Sequence, residues 1–223
     1  MARLDADDMI DIVRDNLGGE TSETLSDTRI LRFINQAYVE VASKYRHPQL
    51  LTSTTVTTTS GTATYELSAS DVAHIEKIID DTNNIPLYPI SFEQYHEYVS
   101  GDASNITGTS VYWAMHGVGS NSRYQIAMYP TPDGTNTIYV YYYKKPAELV
   151  TSPTATSPVI PEAWDDVIIH KATSRGWRML GDMDTAYKWV LSTREIEDAA
   201  KMSTYQASKY PISLGSMMGA SLK

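Results

Sequence analysis

Cysteine is absent from the 223-residue chain. No disulfide framework, zinc-thiolate site or thiol nucleophile can therefore exist, which suits assembly in a reducing cytoplasm. Phenylalanine is scarce as well, with 2 Phe against 16 Tyr, 4 Trp and 9 Met. Tyr and Trp join a large apolar face to a polar tip and favour half-wet contacts, and Tyr is also a good strand former. Positive charge is in short supply: 18 Lys and Arg stand against 27 Asp and Glu, a formal net charge of −9. That balance argues against a dedicated nucleic-acid binder, whose affinity comes largely from neutralised phosphates. Along the chain no basic cluster exceeds Lys144-Lys145. No apolar run approaches the length of a membrane span, so no membrane partner is expected. The opening MARLDADDMIDIVRD mixes acids with its apolar residues and lacks the h-region of a signal peptide. With 42% hydrophobic residues, the chain can bury the core of one compact domain or two small ones.

Catalytic constellations are missing too. The five His (His47, His74, His96, His116 and His170) are scattered and form no metal-type motif. Asp80-Asp81 and Asp165-Asp166 are adjacent pairs whose side chains diverge on helix or strand, unlike the facing carboxylates of a glycosidase. No phosphate-cradling Gly motif and no nucleophile elbow occur. The sequence therefore assigns no catalytic, cofactor-binding or metal-binding residue, and enzyme activity is not expected.

What is present is a pattern of helix, strand and helix. Residues 5–17 carry Met9, Ile10, Val13 and Leu17 at helical spacing, with acids in the first turn and Gly18-Gly19 as the stop. A second helix is expected from the cap Ser26, with its stripe at Ile30, Phe33, Ile34, Ala37, Tyr38, Val41 and Tyr45. Residues 50–65 are Thr-rich with Ser60-Gly61 as a turn signal, which predicts a hairpin with one solvated face. Residues 74–79 read as a strand, 86–89 as a break, and 91–99 as a short helix capped by Ser91. Strands follow at 110–116, 122–129 and 137–144, the last two joined by a tight turn at Pro130 to Gly134. In the last strand, alternation puts Tyr139, Tyr141 and Tyr143 on one face, suited to a subunit or tail interface, with Val140, Tyr142 and Lys144 on the other. Stacking of bases on these rings is the alternative, because aromatics interleaved with Lys can bind single strands.

The C-terminal third opens with a Pro, Ser and Thr-rich connector. A helix is then expected with Pro161 at its first position, broken at Gly181-Asp182, and a final helix capped by Asp182 or Asp184 runs to about residue 209. The predicted class is α+β, with a four-helix bundle from both termini, an inserted antiparallel β-domain and an extended C-terminal tail. Its divisions are 1–48, 49–147, the connector 148–160, 161–209 and the tail 210–223. That tail holds Pro and Gly yet also Tyr210, Pro211, Ile212, Leu214, Met217, Met218 and Leu222, residues suited to a partner surface.

Ser26-Asp27 followed by Ile30 to Tyr38 (ILRFINQAY) resembles the second helix of phage head-to-tail adaptor proteins, where a Ser/Thr cap precedes an Ile-Asn-x-Ala core. Tyr142-Tyr143-Lys144-Lys145-Pro146 is similar to their final strand, and Ile160-Pro161-Glu162 to the start of their penultimate helix. The resemblance, to the adaptor (connector) proteins of short-tailed phages, implies a virion structural protein assembled in the host cytoplasm. It further implies a homo-oligomeric ring of about twelve copies, a dodecamer, bound beneath the portal protein and above a tail tube or nozzle protein. Double-stranded DNA would pass through its channel without specific binding, and no cofactor is implied. Two alternatives stay open: an oligomeric DNA-packaging or DNA-binding protein, which needs a basic face, and a tail-associated hydrolase, which needs an acid pair in a cleft, with Glu93 and Glu97 as its candidate acids.

Overall fold

The computed structural model describes residues 3–19, 24–101, 106–119 and 121–209. The fold is α+β, with five α-helices and nine strands among the described residues. These group into two compact units, one from Met1–Tyr45 and Ala147–Lys223, the other from Arg46–Pro146.

The first unit is helical. Helix α1 (Ala6–Asn16) starts at Asp5, whose carboxylate accepts the Asp7 and Asp8 amides at 3.0 Å each, while the Asp8 carboxylate accepts the Asp5 amide at 3.2 Å. This reciprocal cap satisfies donors that the helix leaves orphaned. Ala6, Met9, Ile10 and Val13 form its buried stripe. Gly18 and Gly19 then adopt φ of +84° and +71°, a backbone region that strains any Cβ. Helix α2 (Asp27–Lys44) buries Ile30, Ile34, Ala37, Tyr38, Val41 and Ala42. Ser26 holds the expected cap position in extended backbone, but its side chain makes no cap hydrogen bond. Pro161 precedes a short 3-10 turn, Glu162–Trp164, and the long helix begins only after it. The C-terminal helices of this unit, numbered here by chain order after the short helix α3 (Phe92–Gly101) of the second unit, are α4 (Asp165–Met179) and α5 (Met183–Lys209). Asp182 caps α5 by accepting the Thr185 amide at 2.9 Å. At 27 residues, α5 is about 40 Å long at 1.5 Å per residue.

The expected four-helix bundle is not supported. Helices α1, α2 and α4 pack mutually, whereas α5 packs along α4 and the turn before it. The reason lies in what α5 can bury: its fully packed residues are Ala186, Thr193, Glu197 and Ala200, while Met183, Tyr187, Leu191 and Met202 stay exposed. Small and polar residues on the inner side cannot supply one wall of a shared bundle core.

The second unit is a seven-stranded sheet in the order β1-β9-β3-β4-β6-β7-β2, with a two-stranded piece, β5-β8. Its strands are β1 (Leu51–Thr57), β2 (Thr64–Glu66), β3 (Val72–Asp80), β4 (Ile85–Pro89), β5 (Thr107–Gly108), β6 (Tyr112–Val118), β7 (Tyr124–Tyr129), β8 (Thr131–Pro132) and β9 (Thr137–Lys144). Within the large sheet only β4 and β6 run parallel. The sheet curls: Val56 at one end of the strand order and Leu67, just past β2 at the other, share a core with Ile78, Trp113, Ile126 and Val140.

Three expectations about strands change. The Thr-rich segment is not a hairpin, since β1 pairs with β9 and β2 with β7, at opposite ends of the order. The turn signal at Gly61 is genuine, with φ of +77°, but the strands it joins part company. Residues 86–89 are not a break but belong to β4. Tyr88 and Ile90 donate to the β6 side, from Tyr88 to the Val111 carbonyl at 2.8 Å and from Ile90 to that of Trp113 at 2.9 Å. Alternation then aims the missing N–H of Pro86 toward β6 before that ladder begins, and that of Pro89 toward β3 after its ladder ends, so neither costs a bond. Finally, β7 and β9 are not neighbours, and residues 130–136 carry β8 across the unit instead of closing a hairpin.

Candidate interaction surfaces

Strand β9 lies inside the sheet and sorts its side chains by alternation. Ile138, Val140 and Tyr142 enter the core, and the Tyr142 hydroxyl donates to Asp71 at 3.1 Å. Tyr139, Tyr141 and Tyr143 are half-buried on the other face. Tyr139 stacks on Tyr141 with centroids 6.2 Å apart, the Lys77 ammonium sits 5.3 Å over the Tyr141 ring, and His74 lies 6.5 Å from Tyr143. Leu51, 44% exposed, pairs with Tyr143 from β1 and extends the apolar face. Burial, with the Glu76 carboxylate nearby and Arg46 opposing it, holds the Tyr143 hydroxyl above its ordinary range. Large apolar area with polar tips, fixed on a rigid sheet, is the composition of a protein-binding surface.

The helical unit holds a different surface. A groove of about 300 Å³ between α2, α4 and α5 is lined by Glu40, Lys44, Lys171, Arg175, Arg178, Arg194 and Glu197. Glu40 accepts from Lys171 at 2.8 Å and from Arg175 at 2.6 Å. Burial pushes the Glu40 carboxyl up, but the two cations outweigh it and hold it below the usual range. Glu197 takes Lys44 at 2.7 Å and a short hydrogen bond from the Tyr45 hydroxyl. Five cations against two carboxylates leave a surplus of three positive charges. Along the chain no basic cluster exceeds Lys144-Lys145, but folding gathers cations from three helices into this groove. One signal was visible: Lys171, Arg175 and Arg178 recur four and three residues apart, on one side of α4.

The remaining candidate residues have structural explanations. Asp80 is buried and accepts from Asn83 and Asn136, so it ties two loops together. Asp165 pairs with Arg3 at 3.1 Å, and burial lifts its carboxyl to about 6 against that pairing. His170 meets Trp189 edge-on at 4.7 Å, and burial lowers its basicity. His96 and His116 both flank Phe92, at 4.3 and 5.7 Å. Glu93 and Glu97 are exposed on α3, not enclosed in a cleft. Among the described residues no group of three or more His, Asp or Glu could hold a metal ion, and no helix is long and apolar enough to cross a membrane. The segment with Tyr210, Pro211, Ile212, Leu214, Met217, Met218 and Leu222 lies outside the described residues.

A family model for the SU10 adaptor protein matches residues 4–211, and the chain belongs to the SU10 adaptor protein family. No curated protein matches it. Membership is consistent with a phage adaptor protein and suggests a structural, non-enzymatic virion component.

Proposed function

We propose that the chain is one subunit of a head-to-tail adaptor ring in a short-tailed bacteriophage, joining the portal to the tail and leaving a channel open for DNA. Family membership over residues 4–211 carries this reading. The helical unit meets the portal, and the β-unit meets the tail tube or nozzle through Tyr139, Tyr141 and Tyr143. Residues Tyr210, Pro211, Ile212, Leu214, Met217, Met218 and Leu222 bind the portal or a neighbouring subunit. A closed ring needs two different, mutually complementary faces on each subunit. The net charge of −9 favours passage of DNA without adhesion. The ring assembles in the host cytoplasm and ends in the virion.

Electron microscopy of the purified chain mixed with its portal protein tests this. Rings on the portal, lost on truncation after Lys209, are expected; a monodisperse monomer at high concentration with no portal binding overturns it. A DNA-binding packaging protein is the second reading, favoured by the surplus of positive charge in the groove. Its signature is DNA affinity that falls steeply with salt.

A further inference from the structure

We infer that the cation groove of the helical unit receives the acidic face of α1 from a second copy of this chain. This contact rests on the ring reading above and gives it a subunit interface. On the groove side, Glu40 fixes Lys171 and Arg175, while Arg178 and Arg194 stand exposed at the rim with no ion pair among the described residues. A positive groove on a chain of net charge −9 calls for an acidic occupant.

The acidic occupant is present on the same chain. Asp8, Asp11 and Asp15 are exposed, and their spacing sets them along one side of α1, opposite the buried Met9 and Val13. The stripe runs about 10 Å at 1.5 Å per residue. Asp11 and Asp15 have no cation partner among the described residues. Asp15 also sits in the last turn of α1, where the helix dipole disfavours an acid, so helix stability does not explain it. No ion pair within the described chain joins stripe to groove. Two unlike surfaces that cannot neutralise each other within one chain can do so between copies, and such a contact is head-to-tail and ring-closing.

Sedimentation velocity of the full chain over a range of NaCl concentrations tests the contact, using R178E/R194E, D11K/D15K and their mixture. All four positions are exposed, so thermal melts of the variants should match the wild type. Wild-type association should weaken with salt, fall about tenfold or more in either variant alone, and return when the two charge-reversed variants are mixed. Unchanged association of R178E/R194E, or no recovery in the mixture, overturns the contact while the ring reading stands. A wild type that stays monomeric at every salt concentration overturns the contact, and one that also fails to bind the portal overturns the ring reading with it. Binding of a short duplex DNA that R178E/R194E abolishes without changing self-association would assign the groove to nucleic acid instead.

Discussion

The side-chain amide of Asn35 pairs with the backbone of Leu149 in both directions, donating to its carbonyl at 3.0 Å and accepting its amide at 2.7 Å. The exchange copies the pairing of two peptides in a sheet, because a carboxamide, like a peptide group, carries an N–H donor and a C=O acceptor side by side. It fastens the connector after Pro146 to α2, next to the bond from the Val159 amide to the Tyr38 hydroxyl at 2.9 Å. Asn35 is also the Asn of the Ile-Asn-x-Ala pattern that the sequence displays. Asn35→Asp removes the donor and sets a carboxylate against a shielded carbonyl. Urea unfolding should show a loss of about 1–3 kcal/mol.

Gly176 on α4 faces the side chain of Leu17, the residue that ends α1. A Cβ there would lie 2.6 Å from Leu17 Cδ1 and 2.8 Å from Cδ2, so the buried Leu17 side chain would have to shift. Gly176→Ala should therefore destabilise by about 1–3 kcal/mol, despite the better helix propensity of Ala. Adding Leu17→Ala to it should cost less than the two single changes summed, which a double-mutant cycle in urea measures.

The buried Asp165 carboxyl gives the protein a pH response. Burial raises it to about 6, with Arg3 opposing, whereas an unfolded Asp titrates near 3.9. Between those values the folded chain takes up a proton that the unfolded chain does not, so stability should rise as pH falls from 6 toward 4, by up to about 3 kcal/mol. Glu40 and Glu197 act in the opposite sense. Burial pushes each up, but Lys171 and Arg175 at Glu40, and Lys44 and Tyr45 at Glu197, hold them below the 4.5 of a free Glu. The stability they add is present above that value and is lost as pH falls through their folded pKa values. Thermal melts from pH 7 to 3 should pass through a maximum, and Asp165→Asn should remove the rise between 6 and 4.

Ser91 caps α3 through a reciprocal pair: its hydroxyl accepts the Gln94 amide and the Gln94 side chain accepts the Ser91 amide, both at 3.1 Å. Ser91→Ala should cost about 1 kcal/mol and speed hydrogen exchange at the Gln94 amide, with the sheet unaffected.

Features whose cause is local were legible in the sequence. Ser91 stands three residues before Gln94, Asp182 three before Thr185, and the α1 stripe repeats at helical spacing, so each could be read in a window of a few residues. Pairing across the chain was not. The Thr-rich run announces extended backbone, but nothing near it names β9 as the partner of β1 or β7 as the partner of β2. Pro86 and Pro89 suggest a break because the sequence does not reveal which way their missing donors point. The aromatic face of β9 follows from alternation alone. The groove needed Glu40, Arg175 and Arg194 from three helices, and charge counted along the chain misses charge gathered in space.

The pairing of Leu51 with Tyr143 places the entrance and the exit of the β-unit side by side, on adjacent antiparallel strands. Tension arriving through the two chain crossings pulls on one end of that ladder and opens it rung by rung. A pull along the strands would load all seven paired positions at once, from Leu51–Tyr143 to Thr57–Thr137. The load path of such a pull is that of a zipper, with the β1–β9 pairs loaded one at a time from Leu51–Tyr143 inward.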